Sequence, residues 1–324
     1  MSTSLRPNAA ASVAARGRSP ARGRLRIALR VIAVLVALLV VAYGAICYRY
    51  ADTLSRVDRH PIKLPATTVA PTHEDVSFTT SDGLLLKGWW FTAPEERQRA
   101  VVFVHGKDQD RIDSSFQPGP IATFLLAHGY SALLFDLRGH GESQGLRWGL
   151  GEGESLDVAA AVNFAAHQAG LPRSRVAVIA ESMGAGSAAM ALRYVPDVGP
   201  MVLDSVYTDA NTVINEDGPA VSHLPAFFTP GMELAAEVFF GLNVNDVRPI
   251  DQVRAHPDRA FFFIACDHDT TVRVHHAYEM KAASADPQTE LWVAKGCEHV
   301  KAHPTYPQEW DARVLAFLEG QLGQ

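Results

Sequence analysis

Short apolar runs alternate with longer stretches of mixed polar and apolar positions along most of this chain. Two runs, 76–79 and 84–91, flank the turn signal Ser-Asp-Gly at 81–83, and this pattern predicts an antiparallel hairpin. The other runs are nearly free of polar residues, which is typical of strands buried on both faces of a parallel sheet. They are 100–104, 131–135, 175–180, 201–203, 260–265 and 291–294.

Stretches with helical spacing of apolar residues lie between these predicted strands, and the alternation of strand and helix predicts an α/β domain. We expect a mostly parallel, eight-stranded sheet with helices on both faces. The interval 206–258 has no clear strand and contains several phenylalanines, prolines and glycines. We interpret it as a short helical cap over the carboxyl edge of the sheet, and ordinary peripheral helices are the alternative. The helical stretches are about 119–128, 153–168, 183–194, 273–284 and 308–321.

An uncharged apolar segment, 31–48, precedes the alternating region and lies between Arg30 and Arg49. As a helix it spans roughly 27 Å, close to the hydrocarbon thickness of a bilayer. It therefore predicts one N-terminal transmembrane anchor over 27–48. A cleaved signal peptide is the main alternative, although its apolar stretch is usually shorter. A buried core helix is a further alternative, but such a helix rarely lacks polar residues on every face.

The residues around this segment predict its orientation and the domain boundaries. Seven arginines and no acidic residue precede position 31, and we expect 1–26 to be a disordered basic N-terminus that stays cytoplasmic. The segment 49–72 contains three prolines and predicts a stalk, followed by a folded domain at 73–324. If the segment is an anchor, the protein would cross the cell membrane once and its folded domain would lie on the extracytoplasmic side. If the segment is a signal peptide, the domain would be secreted after cleavage. Full protection of this domain from protease added to intact spheroplasts would contradict the prediction that the C-terminal part crosses the membrane.

The composition and net charge of the chain limit the kinds of function that it could have. The chain has 324 residues, of which 48% are hydrophobic and 20% charged, so it can form a large core. Its formal net charge of -6 does not favour a nucleic-acid partner. The sequence does not predict an oligomeric state.

The candidate chemistry follows the predicted strand 175–180. Glu181, Ser182, Met183 and Gly184 stand where that strand would turn into a helix. Small residues flanking a serine at such a tight turn are typical of a nucleophile elbow, although Ala180 occupies a position where glycine is more usual. The serine would lie at a helix N-terminus, where developing negative charge is favoured. Ser182 is therefore the predicted nucleophile.

Acidic and basic candidates follow two later strands. Asp267 and Asp269 come after the run 260–265, and His299 comes after the run 291–294. Carboxyl ends of parallel strands are where open α/β sheets form their sites. The chain order nucleophile, acid, base is the order found in α/β-hydrolases. A neutral histidine can accept the serine proton, and a carboxylate can fix its tautomer.

The domain resembles the α/β-hydrolase superfamily, and is most similar to membrane-anchored, serine-aminopeptidase-like hydrolases of the BEM46 type. The motifs that carry the resemblance are Val-His-Gly at 104–106, Asp-Leu-Arg-Gly-His-Gly-Glu-Ser at 136–143, the elbow at Ser182 and Gly-x-x-His ending at His299. The resemblance implies that 136–143 is a structural loop beside the site. It also implies an oxyanion hole formed by the backbone amides of Met183 and Lys107.

Two aspartates compete for the role of the acid. By its resemblance to the family pattern around the acid, the segment 264–273 favours Asp269 over Asp267, although Ala265, Cys266 and Arg273 depart from that pattern. Asp204, after the predicted strand 201–203, is a third candidate.

The expected activity is that of a serine hydrolase that cleaves an ester, thioester or amide through Ser182, Asp269 and His299. The substrate would be a small-molecule or lipid acyl compound, and neither a cofactor nor a metal is expected. A non-catalytic binding protein of the same fold and an acyltransferase are the alternatives. We interpret His275 and His276 as a pair on a helix surface.

The strands that Cys266 ends and Cys297 follows are neighbours in the resembled fold. We favour two buried free thiols at these positions. A disulfide is the alternative, which is plausible outside the cytoplasm and requires a Cα separation below about 7 Å.

Overall fold

The computed structural model describes residues 20–95 and 98–323. The chain divides after Ile46 into two compact units. The described part of the first unit is helical, and its apolar side chains are mostly exposed. The second unit, from Cys47 onward, contains the sheet and the helices around it.

The second unit is built on one sheet of eight strands in the order β1-β2-β4-β3-β5-β6-β7-β8. β1 pairs with β2 and β2 with β4 in antiparallel fashion, and the other pairs are parallel. The predicted α/β-hydrolase fold with a mostly parallel sheet is thus confirmed. The strands are β1 Glu74–Thr79, β2 Leu85–Phe91, β3 Ala100–Val104, β4 Ser131–Phe135, β5 Val176–Glu181, β6 Met201–Asp204, β7 Phe261–Cys266 and β8 Glu290–Ala294.

Helices pack on both faces of this sheet because its strands present buried apolar residues in both directions. Val102 and Val104 of β3 belong to one buried cluster, whereas Val101 and Phe103 belong to the other. The helices are α1 Pro20–Ser55, α2 Pro118–Ala127, α3 Glu154–Ala169, α4 Ser182–Ala191, α5 Ala210–Ser222, α6 Thr229–Phe240, α7 Pro249–Ala255, α8 His275–Ala283, α9 Ala302–Thr305 and α10 Pro307–Leu322.

The N-terminal helix is longer than the sequence predicts. Residues 1–19 of the predicted disordered N-terminus lie outside the described residues, and the chain is helical from Pro20 to Ser55. From Gly23 to Ser55 this helix is long and apolar enough to cross a membrane, a property that it shares with N-terminal signal sequences.

The segment predicted as a stalk, 49–72, also differs from expectation. It begins within α1, and Ala51, Ser55, Ala66 and Val69 are buried in the second unit. Packing of these small and apolar side chains holds the segment against the domain.

The predicted cap interval contains helices α5, α6 and α7. Several apolar side chains of this interval are exposed, among them Phe227, Leu234, Val238 and Phe239. Their neighbours on α5 and α6 line a cavity that is described with the site below.

Candidate active site

The turn between β5 and α4 presents Ser182 in a strained conformation. Ser182 has φ of 50°, in the left-handed region that side-chain-bearing residues rarely adopt. The turn also needs a glycine two residues later, because a Cβ on Gly184 would lie 2.4 Å from the His105 carbonyl oxygen. β5 therefore ends close against the end of β3, with the Ser182 side chain at the carboxyl edge of the sheet.

Three side chains predicted from the sequence form a continuous hydrogen-bond chain. Ser182 Oγ lies 2.8 Å from His299 Nε2, and His299 Nδ1 lies 2.7 Å from Asp269 Oδ2. Asp269 is buried, and its other oxygen accepts the backbone N–H groups of Thr271 at 2.9 Å and Val272 at 2.8 Å. The two amides hold the carboxylate in the orientation that contacts His299. Chemically, this arrangement can remove a proton from the serine hydroxyl.

The other two candidate acids have different partners. Asp267 Oδ1 accepts the Gly296 N–H at 2.7 Å, and its second oxygen lies 3.6 Å from Lys295 Nζ. Asp204 is buried and accepts a hydrogen bond from the Ser205 hydroxyl at 3.1 Å. The structure thus brings Asp269, rather than Asp267 or Asp204, into contact with His299.

Buried charge around His299 adjusts its proton affinity. Burial by itself would lower the pKa of His299, but the hydrogen bond and charge of Asp269 and the charges of Glu181 and Asp204 outweigh it. The pKa of His299 is therefore raised above its usual 6.5. Burial also raises the pKa values of Glu181 and Asp204 to about 7.

Glu181, whose role was not predicted from the sequence, holds the loop that follows β3. Its buried carboxylate accepts the Gly106 N–H at 2.9 Å and the Phe116 N–H at 3.0 Å, and it also contacts the Ser114 hydroxyl. The signal in the sequence was a single acidic residue that ends an otherwise apolar strand and directly precedes Ser182. Glu181 thereby holds the loop containing Lys107 beside the nucleophile.

The two residues whose amides were predicted to form an oxyanion hole, Met183 and Lys107, line the cavity together with Ser182. Met183 is the second residue of α4, so its N–H has no partner within the helix. No acceptor for the Lys107 N–H is found in residues 20–95 and 98–323. Gly106, Lys107, Ser182 and Met183 all line the same cavity.

The loop 136–143 supports the neighbouring backbone and does not enter the cavity lining. Asp136 accepts the N–H groups of Arg111 at 2.9 Å and Glu142 at 2.8 Å. His140 Nε2 accepts the Asp108 N–H at 3.1 Å, and His105 Nε2 accepts the Leu137 N–H at 3.0 Å. These bonds join the loop after β3 to the loop after β4, in agreement with a structural role.

A largely apolar cavity of about 360 Å³ opens at Ser182 and His299. Helices α5 and α6 form part of its wall, and the last residues of α1, including Ala51 and Leu54, form another part. The contribution of α1 was not predicted, because the composition of that segment indicates a stalk. Charged residues are few in the cavity lining: Lys107, Asp217 and Glu233.

Cys266 and Cys297 form a disulfide with a Cα separation of 5.2 Å, so the preference for free thiols was wrong. The register of β7 and β8 pairs Cys266 with Ala294, which brings the turn containing Cys297 within reach. The bond joins the loop of Asp269 to the loop of His299. In the described part of the chain, Cys47 is the free cysteine.

Removal of this disulfide is expected to destabilise the protein. The bond closes a loop with a sequence separation of 31 residues, for which chain entropy predicts a loss of about 3–4 kcal/mol. The double variant Cys266→Ala/Cys297→Ala should therefore melt at a lower temperature than the wild type in a thermal scan without reductant. Dithiothreitol should lower the melting temperature of the Cys47→Ala control but not that of the double variant. Equal melting temperatures of wild type and double variant would contradict the expectation.

Comparison with known proteins gives a family match over most of the domain. Residues 95–299 match the family model described as serine aminopeptidase, S33. The uncharacterized protein YfhR of Salmonella typhi is 27% identical over 265 residues, which cover 77% of this chain and 82% of YfhR. The uncharacterized protein Rv2307c of Mycobacterium tuberculosis is 32% identical over 144 residues, or 44% of this chain and 49% of that protein.

Solved structures agree with this match. The esterase Pf2001 of Pyrococcus furiosus superposes with a TM-score of 0.68 and 26% sequence identity, covering 83% of this chain and 100% of that one. The α/β hydrolase GrgF from a Penicillium species superposes with a TM-score of 0.63 at 18% identity, covering 78% and 100%. The second likeness concerns the fold alone.

Proposed function

This chain belongs to the serine aminopeptidase S33 family of α/β-hydrolases, and from that premise we propose that it is a serine hydrolase with Ser182, His299 and Asp269 as its catalytic triad. The observation that carries the proposal is the unbroken chain of contacts from Ser182 Oγ through His299 to Asp269, at 2.8 and 2.7 Å. The strained backbone of Ser182 supports it as well, because strain of this kind clusters at functional sites.

In the proposed mechanism His299 Nε2 accepts the Ser182 proton while Oγ attacks the acyl carbonyl carbon. The amides of Met183 and Lys107 stabilise the resulting oxyanion, and each such donor typically contributes about 2.7–4 kcal/mol. The imidazolium then gives its proton to the leaving group, and an acyl-enzyme remains. Water, deprotonated by His299, attacks the acyl-enzyme, and return of the proton to Ser182 releases the carboxylic acid product.

We propose that the substrate is an ester with an apolar acyl chain. The lining of the 360 Å³ cavity is mainly apolar and contains Val213, Ile214 and Met232. Such a lining favours burial of hydrocarbon at roughly 25 cal/mol per Å². Pf2001, which shares the fold at 26% sequence identity, is an esterase, which supports an ester as the substrate. An anchor formed by α1 would make lipid esters available at the membrane surface.

A second candidate, hydrolysis of aminoacyl esters or peptides with a free amine, is favoured by two cavity carboxylates. Asp217 and Glu233 line the cavity, and burial raises the pKa of each. Among the described residues, neither carboxylate has a hydrogen-bonded partner or an ion pair. A substrate ammonium group could supply the missing counter-charge.

A screen with p-nitrophenyl esters of graded chain length, run beside aminoacyl-p-nitroanilides, tests the two substrate classes. We expect kcat/KM to increase with acyl length until the cavity is full. The Asp217→Asn variant should retain this preference, as should Asp258→Asn, an exposed-residue control. Hydrolysis of aminoacyl substrates that is selectively lost in Asp217→Asn would instead establish the second candidate. Absence of turnover on every acyl substrate would contradict the proposed hydrolase activity.

The raised pKa of His299 predicts the pH dependence of the reaction. The base must be neutral, so kcat/KM should fall as the pH decreases through the pKa of His299 in the free enzyme. The midpoint of this acid limb should lie above 6.5, because the surrounding carboxylates stabilise the imidazolium. Asp204, whose own pKa is about 7, carries part of its charge at this pH, so Asp204→Asn should move the midpoint to lower pH. An unchanged midpoint in Asp204→Asn would contradict this electrostatic account.

We propose that the apolar part of α1, residues 27–48, is a membrane anchor that places the hydrolase domain on the extracytoplasmic side of the cell membrane. The length and apolar character of Gly23–Ser55 support an anchor, and the N-terminal arginines support a cytoplasmic N-terminus. The protease experiment on spheroplasts described above tests this orientation.

A further inference from the structure

Cap helix α6 exposes apolar side chains on its outer face, which consists of Leu234, Val238 and Phe239. Leu234 and Val238, one helical turn apart, are 61% and 65% exposed, and Phe239, at the end of the helix, is 62% exposed. The opposite face contributes Met232 and Ala236 to the cavity lining. Exposed apolar side chains that cluster in this way mark contacts with a protein or a membrane. The domain thus leaves the outer face of α6 largely open for such a contact.

The charged residues where α5 meets α8 are, by contrast, paired within the domain. Glu216 Oε1 lies 2.9 Å from His275 Nε2, and Glu216 Oε2 lies 3.5 Å from His276 Nε2. The His276 side chain is fully buried, so the expectation of a surface histidine pair was wrong for this residue. This cluster is occupied by its own histidine–carboxylate contacts, whereas the open contact on α6 is apolar.

The outer face of α6 lies beside the point where the chain leaves the proposed anchor. The Tyr48 ring centroid is 5.1 Å from that of Phe239 and 5.6 Å from that of Phe240. Cys47 Sγ also donates a hydrogen bond to the Phe228 carbonyl oxygen, at 3.9 Å. Cys47 and Tyr48 are the last two residues of the proposed anchor, and the end of a spanning helix lies at the membrane surface. With the anchor in the membrane, these contacts hold the outer face of α6 at that surface.

The proximity of the anchor favours lipid as the partner of this face. A group tethered at the membrane meets lipid at a high effective concentration, whereas a second protein has to arrive by diffusion. Tyr48, which is partly exposed, is of a residue type that is enriched at membrane interfaces. Glu237 is the charged residue in the segment 234–239, and it is acidic. Docking would therefore rely on apolar insertion and would not need anionic lipid.

We propose that the outer face of α6 docks on the lipid bilayer beside the anchor. Leu234, Val238 and Phe239 would lie about 5–10 Å into the boundary between headgroups and acyl chains, as the apolar faces of interfacial helices do. This inference rests on the proposed anchor and is independent of the proposed hydrolase activity.

Docking would bring the cavity close to the lipid phase. The cavity wall includes the inner face of α6 as well as Ala51 and Leu54, which follow Tyr48 on α1. Both parts of this wall are thus next to elements that would contact the membrane. Acyl compounds in the leaflet would be held near the cavity that contains Ser182.

The test uses the full-length chain reconstituted in phosphatidylcholine vesicles, with Cys47→Ala as the background. Val238→Cys, Leu39→Cys within the anchor and Tyr194→Cys are each labelled with the fluorophore NBD. Tyr194 is the control, because it is 49% exposed and lies between α4 and β6, at the amino edge of the sheet. One lipid with a nitroxide near the headgroup and one with a nitroxide near the end of the acyl chain report depth, and iodide on both sides of the membrane reports exposure to water.

We expect the nitroxide near the headgroup to quench the Val238 label most strongly, the deeper nitroxide to quench the Leu39 label most strongly, and iodide alone to quench the Tyr194 label. Lipid quenching at Leu39 with quenching by iodide alone at Val238 would overturn docking and leave the anchor standing. A Val238 label protected from both nitroxides and from iodide would contradict docking as well, since protein, such as a second copy of the chain, would then cover the face. Absence of lipid quenching at Leu39 would refute the anchor and the docking together.

A second variant tests whether the apolar side chains hold the label at the bilayer. In the Val238-labelled chain, Leu234→Ser/Phe239→Ser should lower the ratio of docked to undocked chains by at least about tenfold, because two apolar side chains no longer enter the lipid. Glu237→Gln, on the same helix, should retain docking. The two replaced side chains are exposed, so the serine variant should fold, and near-ultraviolet circular dichroism verifies that it does. Undiminished lipid quenching in the folded serine variant would show that the outer face does not carry the contact.

Discussion

Replacement of Ser182 by alanine is expected to lower kcat for ester hydrolysis by a factor on the order of 10⁶. The substitution removes the attacking oxygen that lies 2.8 Å from His299 Nε2, so no acyl-enzyme can form. A fluorophosphonate probe, which reacts with activated serines, should label the wild type and fail to label Ser182→Ala. Gel fluorescence after labelling and initial rates with a p-nitrophenyl ester measure the two effects.

Ser187→Ala is the matched control for this experiment. Ser187 lies on the same helix, donates its hydroxyl hydrogen to the Met183 carbonyl at 2.7 Å and does not line the cavity. The control variant should therefore keep its labelling. Undiminished labelling of Ser182→Ala would show that another residue reacts with the probe. Absence of labelling in the folded wild type would favour a non-catalytic binding protein.

Asp269→Asn is expected to lower kcat by roughly 10⁴-fold, because it reverses the hydrogen bonding of His299. The N–H groups of Thr271 and Val272 would hold the asparagine carbonyl oxygen where Asp269 Oδ1 lies. Its NH₂ group would then face His299 Nδ1, in place of the carboxylate oxygen 2.7 Å away. Nδ1 would have to accept that hydrogen bond, so Nε2 would carry the proton and could not serve as the base. Steady-state kinetics and a thermal scan separate this effect from loss of folding.

Asp267→Asn is the matched control, since Asp267 lies in the same loop but binds the Gly296 N–H. We expect its kcat to stay within about tenfold of the wild type, a limit equal to 1.4 kcal/mol in transition-state free energy. If Asp267→Asn were inactive and Asp269→Asn were active, the assignment of Asp269 as the acid would be wrong. A large loss in both variants would point to a disordered loop, which the thermal scan would reveal.

Much of the fold could be predicted from sequence because its signals are local. The run Ala100–Val104 predicts a buried strand because all five of its residues are apolar, and a parallel sheet that is covered on both faces leaves no position for polar residues. Ser182 was predictable for a related reason: a serine that directly follows a buried strand, with small residues two positions before and after it, is typical of a nucleophile elbow. The resemblance at 136–143 agreed with these signals, and the structure assigns this loop the supporting contacts that it implied.

Features that depend on distant parts of the chain were harder to predict. The segment of Ala51 and Ser55 resembles a linker in composition, yet it is buried in the second unit and lines the cavity. The state of Cys266 and Cys297 depended on the separation of two turns, which spacing along the chain does not report. His276 resembled a surface residue because its partner, Glu216, belongs to a different helix.

The sequence by itself determined the strands, their alternation with helices, the apolar N-terminal helix and the chain order of Ser182, an acidic loop and His299, since each follows from local patterns of burial and turn chemistry. Only the tertiary structure decided which aspartate contacts His299, which cysteines pair and which helices enclose the cavity. These outcomes depend on strand order and on how far each loop extends beyond its strand. Such distances arise when the whole sheet packs, because residues far apart in sequence, such as Ser182 and His299, come to lie at its carboxyl edge.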